Sequence, residues 1–277
     1  MEIFWDLPAY LFLILLTFSV IIFWDRTKRK KSPHKPSSSI ALFAKDLYWV
    51  VVIIFILRSF LFEPFRIPSG SMLPNLNIGD FVLVNKSAYE ISLPLFNYPI
   101  YKTGEVKRGD VVVFRYPKDP NIPFIKRVIG LPGDKLSYID KVVYINDEEI
   151  KSEYIRNYDF ENVLYKEYLN ETSIDILKNP FKNTSKNAFL ELQEGISIPE
   201  DYFLVMGDNR DNSNDSRYWG YVPRHYFLGK ANYVLLNITT DGDLITTNVS
   251  EFLKFFSTMN INFSAFRSIT AGYEKDE

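Results

Sequence analysis

The sequence predicts a mainly β protein, an antiparallel sheet or partial barrel with a smaller inserted subdomain, preceded by two transmembrane helices. Three observations carry this prediction. Two apolar runs near the N-terminus flank a basic connector. From residue 65 onward, short runs rich in Val, Ile and aromatic residues are separated by turn signals. Helical periodicity is weak throughout that part.

The first apolar run covers residues 7–24 and is broken only by Thr17 and Ser19. A hydrocarbon core of about 30 Å needs roughly 20 helical residues, so the run is long enough to span. The second run, residues 47–57, extends backward past Lys45 and Asp46 and forward past Arg58 to Phe62. Lysine and arginine can snorkel to the headgroups, which allows a second span. Between the runs, DRTKRKKSPHKPSSS carries six Lys or Arg and reads as a disordered loop held in the cytoplasm by its charge. The residues before the first run include Glu2 and Asp6, and the positive cluster follows the run. That order argues against a cleavable leader. Everything after about residue 63 is expected outside the cytoplasm.

In the outer part, the strand candidates are residues 80–85 (DFVLVN), 110–116 (DVVVFRY), 124–129 (FIKRVI), 141–145 (KVVYI), 202–206 (YFLVM) and 231–236 (ANYVLL). Pro132-Gly133 fits a type II turn with glycine at positive φ. Residues 151–195 are polar, spotted with aromatics and short of alternation, as expected of an inserted subdomain or long loop. Residues 251–259 (EFLKFFSTM) read as a short amphipathic helix. The expected organisation is a first span (1–25), basic loop (26–44), second span (45–62), core (63–150), insertion (151–198), second part of the core (199–240) and C-terminal tail (241–277).

Of the 277 residues, 47% are hydrophobic and the net charge is -2, unevenly distributed. Residues 1–62 hold eight Lys or Arg against four acids, a balance of +4, so the remaining 215 residues carry -6. A basic front with a mildly acidic body predicts a membrane anchor and no nucleic-acid partner. There is no cysteine, which excludes disulfides, thiolate metal sites and a cysteine nucleophile. His34 and His225 are the only histidines, although most serine-based hydrolysis uses a histidine base.

Four segments carry candidate chemistry. In PSGSM (68–72), Gly70 permits an unusual backbone angle that could present the Ser71 hydroxyl, although Ser-Gly pairs are also common in plain loops. In FIKRVIGLPGD (124–134), Lys126 sits among Phe124, Ile125, Val128 and Ile129. Burial lowers a lysine pKa by disfavouring the ammonium, which would turn Lys126 into a base. The alternative is an edge-strand lysine that blunts pairing. GDNRDNSNDSRYWG (207–220) is expected to form a tight hydrogen-bonded loop, and its acids at 208, 211 and 215 do not follow EF-hand spacing. The segment 63–86 joins the second apolar run to Ser71, which lies 13 residues beyond Arg58 and hence at most ~45 Å from it.

Together, IPSGSM, RGDVVVF, FIKRVIGLPGD and GDNRDNSNDSRYWGYVP closely resemble the motifs of bacterial type I signal peptidase, or leader peptidase, in the family's order. The resemblance covers roughly half the chain. It implies a membrane-anchored serine endopeptidase that removes signal peptides from exported preproteins after small residues, the A-x-A pattern. It further implies Ser71 as nucleophile and Lys126 as general base, with Ser69 and the backbone N–H of Ser71 forming the oxyanion hole. Ser213 would orient the Lys126 amine, and Arg127, Asp208, Asp215 and Arg217 would be structural ion-pair residues. Phe65, Ile67, Pro68, Phe124 and Ile125 match positions lining shallow substrate pockets. The implied partners are preproteins and the lipid bilayer, with no cofactor, metal or nucleic acid. The implied location is the bacterial inner membrane, crossed more than once, with the catalytic part on the periplasmic face. The insertion matches no motif of the family.

A Ser-His-Asp hydrolase lacks its G-x-S-x-G elbow, and His34 lies in the connector. The S-x-x-K of penicillin-targeted enzymes occurs only as Ser32–Lys35 in that connector. Self-cleaving repressors and secretion-system maturation peptidases share a Ser-Lys pair without this loop and anchor combination. An inactive membrane scaffold would have no reason to keep both Ser71 and Lys126.

Overall fold

The computed structural model describes residues 7–32, 34, 36–93, 98–169, 172–182, 195–239 and 258–269. The chain divides into two compact units, Met1–Glu63 with Lys86–Gly104, and Pro64–Asn85 with Glu105–Glu277.

In the first unit, helix α1 (Leu7–Lys31) packs along α2 (Ser39–Ile56), which ends in a wider π-type turn over Leu57–Leu61. At 1.5 Å per residue, α1 is about 37 Å long, more than a hydrocarbon core requires. Both helices are long and apolar enough to cross a membrane. Large apolar side chains such as Phe23, Trp49 and Ile53 point outward, while Ala9, Ala41 and Ala44 are buried. Small residues let two apolar helices approach closely. One expectation is corrected. The basic cluster is not a loop, since α1 continues through it to Lys31. Lys and Arg are good helix formers, and their charge favours a helix C-terminus. The second helix starts at Ser39, whose neighbour Ser38 caps it by accepting from the Ala41 N–H. Lys45, on the first half of this helix, pairs with Asp25 of α1 at 2.7 Å. The same unit holds a hairpin, β3 (Glu90–Leu93) with β4 (Tyr98–Lys102).

The second unit is built on strands. The strands are β1 (Phe62–Arg66, reaching back into the first unit), β2 (Asp80–Asn85), β5 (Val111–Tyr116), β6 (Asp119–Gly130), β7 (Lys135–Ile139), β8 (Val142–Ile145), β9 (Glu148–Glu149), β10 (Ser152–Asn157), β11 (Val163–Leu169) and β12 (Thr172–Lys178). They are followed by β13 (Ile196–Ser197), β14 (Tyr202–Met206), β15 (Val222–Pro223), β16 (Phe227–Thr239), β17 (Asn260–Asn262) and β18 (Arg267–Ser268). The main sheet runs β1-β2-β16-β5-β6-β14-β15, with β17 and β18 added to β16. Bulges interrupt β16 against both β2 and β5, and they let this long strand change partners along its length. Among the described residues, the unit also holds two smaller antiparallel sheets, β13-β7-β8-β9 and β10-β11-β12.

The predicted strands form where the β-branched and aromatic runs lie. The Pro132-Gly133 turn has Gly133 at φ 85° and closes with the Asp134 N–H donating to the Leu131 carbonyl. Residues 152–178, short of alternation in sequence, nonetheless form three strands. Their inward residues Leu169, Ile174 and Ile176 join the core of Ile129, Leu136, Leu204 and Met206. The helix expected over residues 251–259 falls almost entirely outside the described residues. The described part of the tail, residues 258–269, supplies β17 and β18.

The second core gathers Ile67, Met72, Leu76, Val82, Val111, Val113 and Ile125. β6 lies between the two cores, so every residue from Ile125 to Gly130 is buried.

Candidate active site

The site forms where β6 passes the turn Gly70–Met72. Ser69 is extended and Gly70 opens a single 3-10 turn, which places the Ser71 side chain toward β6. Lys126 Nζ lies 2.6 Å from Ser71 Oγ and also donates to the Ile125 carbonyl at 2.9 Å. Only 4% of Lys126 is exposed. The Phe124 ring lies 5.5 Å from its amine. Burial pushes the amine down from 10.5 to about 8, against the carboxylates of Asp215 and Asp208, which favour the charged form.

Ion pairs frame this amine. Arg127, next on β6, grips Asp208 with two bonds of 2.8 and 2.7 Å and donates to the Gly109 carbonyl at 2.8 Å. Gly109 sits at φ 91°, an angle glycine adopts without strain. Arg217 holds Asp215 in the same forked way, and Asp215 also accepts from the Gly207 N–H at 2.9 Å. Burial alone would raise the Asp215 carboxyl, but the Arg217 guanidinium beside it holds it low. The four expected ion-pair residues thus form two buried pairs.

Ser69 Oγ stands 3.4 Å from Ser71 Oγ. Both line a cleft of about 640 Å³ together with Phe65, Pro68, Phe124, Ile125 and Lys126. Two predicted placements differ. Ile67 does not line the cleft, because it is fully buried in the core with Met72 and Leu76. Ser213 is buried against Gly207, and the amine contacts Ser71 and Ile125 instead.

The structure adds residues that sequence reasoning missed. Ile122, Pro123, Asn209, Asn212 and Asn214 also line the cleft. Asn209 ties the polar loop to the serine turn, with its backbone N–H donating to the Ser71 carbonyl at 3.1 Å and its Nδ2 to the Gly70 carbonyl at 3.0 Å. Asn75 Nδ2 donates to Asp208 at 2.8 Å. The richness of residues 207–220 in Asn and Asp marked the loop, but nothing in the sequence singled out Asn75. Gly207 is required by close approach. A methyl group there would meet Ser213 Oγ at 2.2 Å and the Ser71 carbonyl oxygen at 2.5 Å.

A hydroxyl against a buried, weakly basic amine in an apolar cleft is an arrangement suited to acyl transfer, the chemistry of a peptidase. Residues 40–236 match the family model described as "Signal peptidase, peptidase S26". The chain is 43% identical over 204 residues to a signal peptidase I of Pseudomonas fluorescens, covering 68% of this chain and 70% of that one. It is also 43% identical over 200 residues to a signal peptidase I of Pseudomonas aeruginosa, with the same coverage. The match to a signal peptidase I of Haemophilus influenzae is 32% over 278 residues, covering 83% and 79%. The chain belongs to the signal peptidase family, peptidase S26. It is a membrane-anchored peptidase that removes signal peptides from preproteins.

Two predictions follow from the packing. Gly207→Ala forces the Ser71 backbone or Ser213 to move and is expected to lower precursor cleavage by about 100-fold; cleavage within threefold of wild type would show that the contact is compliant. The second concerns stability. Below about pH 8 the amine is charged in both folded and unfolded chains, and the folded state bears the full cost of burying it. Between about 8 and 10.5 only the unfolded chain holds the proton, so stability rises with pH by up to roughly 3 kcal/mol. Lys126→Met is expected to unfold at higher temperature than wild type at neutral pH, with the difference shrinking as pH approaches 10; equal melting temperatures across that range would contradict the burial cost.

Proposed function

We propose that Ser71 is the nucleophile and Lys126 the general base of a serine endopeptidase that cuts signal peptides after small residues. The observation that carries this reading is the 2.6 Å approach of Ser71 Oγ to a buried amine titrating at about 8. At pH 7 about one such amine in ten is neutral, against about one in three thousand at the ordinary value of 10.5.

In the proposed mechanism the neutral Lys126 amine takes the Ser71 hydroxyl proton as Oγ attacks the scissile carbonyl carbon. The oxyanion forms against the Ser71 N–H and the Ser69 hydroxyl, donors aimed at charge that develops only in the transition state. The C–N bond then breaks, the leaving amine takes the proton from Lys126, and the signal peptide remains as an ester on Ser71. Water, deprotonated by Lys126, attacks that ester and frees the serine. The ion pairs Arg127–Asp208 and Arg217–Asp215 hold the surrounding backbone and do not take part in proton transfer.

Phe65, Pro68, Phe124 and Ile125 give the cleft its apolar wall, with Ile122 and Pro123 beside them. Shallow apolar subsites accept alanine and exclude larger side chains, in keeping with A-x-A selection. We further propose the topology that the charge pattern predicts. The basic connector lies in the cytoplasm, both helices cross the inner membrane, and the outward-emerging chain carries the catalytic unit in the periplasm. Its catalytic core comprises residues 63–150 and 199–240, with 151–198 inserted.

Purified full-length protein with a precursor carrying an A-x-A site tests the dyad. Ser71→Ala and Lys126→Ala are expected to abolish cleavage while the domain stays folded, and wild-type kcat/KM is expected to fall tenfold per pH unit below about 8 as Lys126 is protonated. A wild-type rate in either folded variant would refute the assignment. Replacing the alanine before the scissile bond with leucine should cost about 10–200-fold in kcat/KM; equal rates would remove the size filter.

A further inference from the structure

The sheet β10-β11-β12 lies in the stretch that matches no motif of the resemblance, yet it grips the loop carrying the polar side of the cleft. Glu167 on β11 and Arg210 at the start of that loop's 3-10 turn are each 1% exposed. They are joined fork to fork, with Arg210 Nη1 donating to Glu167 Oε2 at 2.6 Å and Nη2 donating to Oε1. One residue further, Asp211 accepts from the Asn179 N–H at 2.7 Å and pairs with Lys141 at 3.0 Å. The Leu177 N–H of β12 donates to the Asp208 carbonyl at 2.9 Å. On its other side the same loop holds the serine turn through both Asn209 bonds, to the carbonyls of Ser71 and Gly70.

These contacts form one unbroken path: Glu167, Arg210, Asn209, Ser71. Burying two charges is costly, and it is tolerated where two parallel charged hydrogen bonds and close packing compensate. Such a pair allows little travel, whereas an exposed pair would leave the loop free to shift. Misplacing a reacting atom by about 1 Å can cost about 100-fold in rate, so the loop's position matters directly.

We propose that β10-β11-β12 is a brace that sets Ser71 Oγ against Lys126 Nζ, with Glu167 as its positioning residue acting through Arg210 and Asn209. This rests on reading Ser71 and Lys126 as the dyad. Glu167 is absent from the cleft lining and touches neither reacting atom. Loosening the brace lets the serine turn drift and admits water to the amine, which faces the charges of Asp208, Asp215 and Arg217.

The experiment uses full-length protein in detergent with an A-x-A precursor. Glu167→Gln preserves size and an acceptor but removes the charge. It is expected to lower kcat by about tenfold or more and leave KM within about twofold. It should also move the acid limb of kcat/KM alkaline by about half a pH unit or more as the amine is rehydrated. Backbone amide exchange at Asn209 is expected to accelerate in the same variant. Should Glu167→Gln fail to fold, Lys141→Ala, which loosens the half-buried pair to Asp211, is expected to show the same pattern at about threefold. A folded variant with unchanged kcat and pH profile overturns the brace, as does an activity loss that only follows the folded fraction with the acid limb in place. Ser71→Ala run alongside separates the two readings. Cleavage by it would sink the dyad and the brace together, whereas an inactive Ser71→Ala beside a fully active Glu167→Gln would sink the brace alone.

Discussion

The 2.6 Å contact between Ser71 Oγ and Lys126 Nζ requires a lysine amine to be kept away from water, and most of the second unit is arranged around that requirement. β6 lies between two hydrophobic cores, one through Ile125 and the other through Ile129. A strand exposed on one face would let the long lysine side chain reach solvent and recover its ordinary basicity. Burial on both faces removes that route. The folded state carries the cost of a charged amine at neutral pH, and in the proposed mechanism this cost is what makes the amine a usable base.

Around the amine, charge is managed by pairing. Arg127–Asp208, Arg217–Asp215 and Arg210–Glu167 are buried, and each is held by two parallel hydrogen bonds. Pairs of this kind contribute little net stability compared with well-packed apolar residues. Their geometry is directional, however, and together they fix the loop over residues 207–217 relative to β6 and the serine turn. Asp208 joins the two sides, taking Arg127 from β6 and Asn75 from just beyond the serine turn. The carboxylates of Asp208 and Asp215 oppose the drop in the Lys126 pKa, and burial outweighs them. The site is therefore a balance of desolvation against nearby negative charge.

Much of this was legible in the sequence because it was local. The strands follow β-branched and aromatic runs, and the Pro132-Gly133 turn follows from the one residue that tolerates its φ. Long apolar runs announced both helices. Local reading was misled where a residue's partner is distant. The basic cluster read as a loop by its charge, although Lys and Arg extend a helix readily. Residues 152–178 gave no alternating pattern, because β11 sets the charged Glu167 among its inward residues Leu164 and Leu169, and the Arg210 that makes this burial tolerable lies far along the chain. Ile67, matched to a lining position by the resemblance, instead packs in the core with Met72 and Leu76.

Residue types and their order along the chain were enough to determine two long apolar runs and a β-rich remainder, and the motifs around Ser71 and Lys126 singled these two side chains out for the proposed roles of nucleophile and base. Those features depend on hydrophobicity, backbone preference and functional-group chemistry, which each residue carries with it. Whether Ser71 and Lys126 meet, how dry the amine is, and which of many Asn and Asp side chains hold the loop were decided only by the tertiary structure. Desolvation and hydrogen-bond reach depend on what lies within a few ångströms in space, and 55 residues separate that serine from that lysine along the chain.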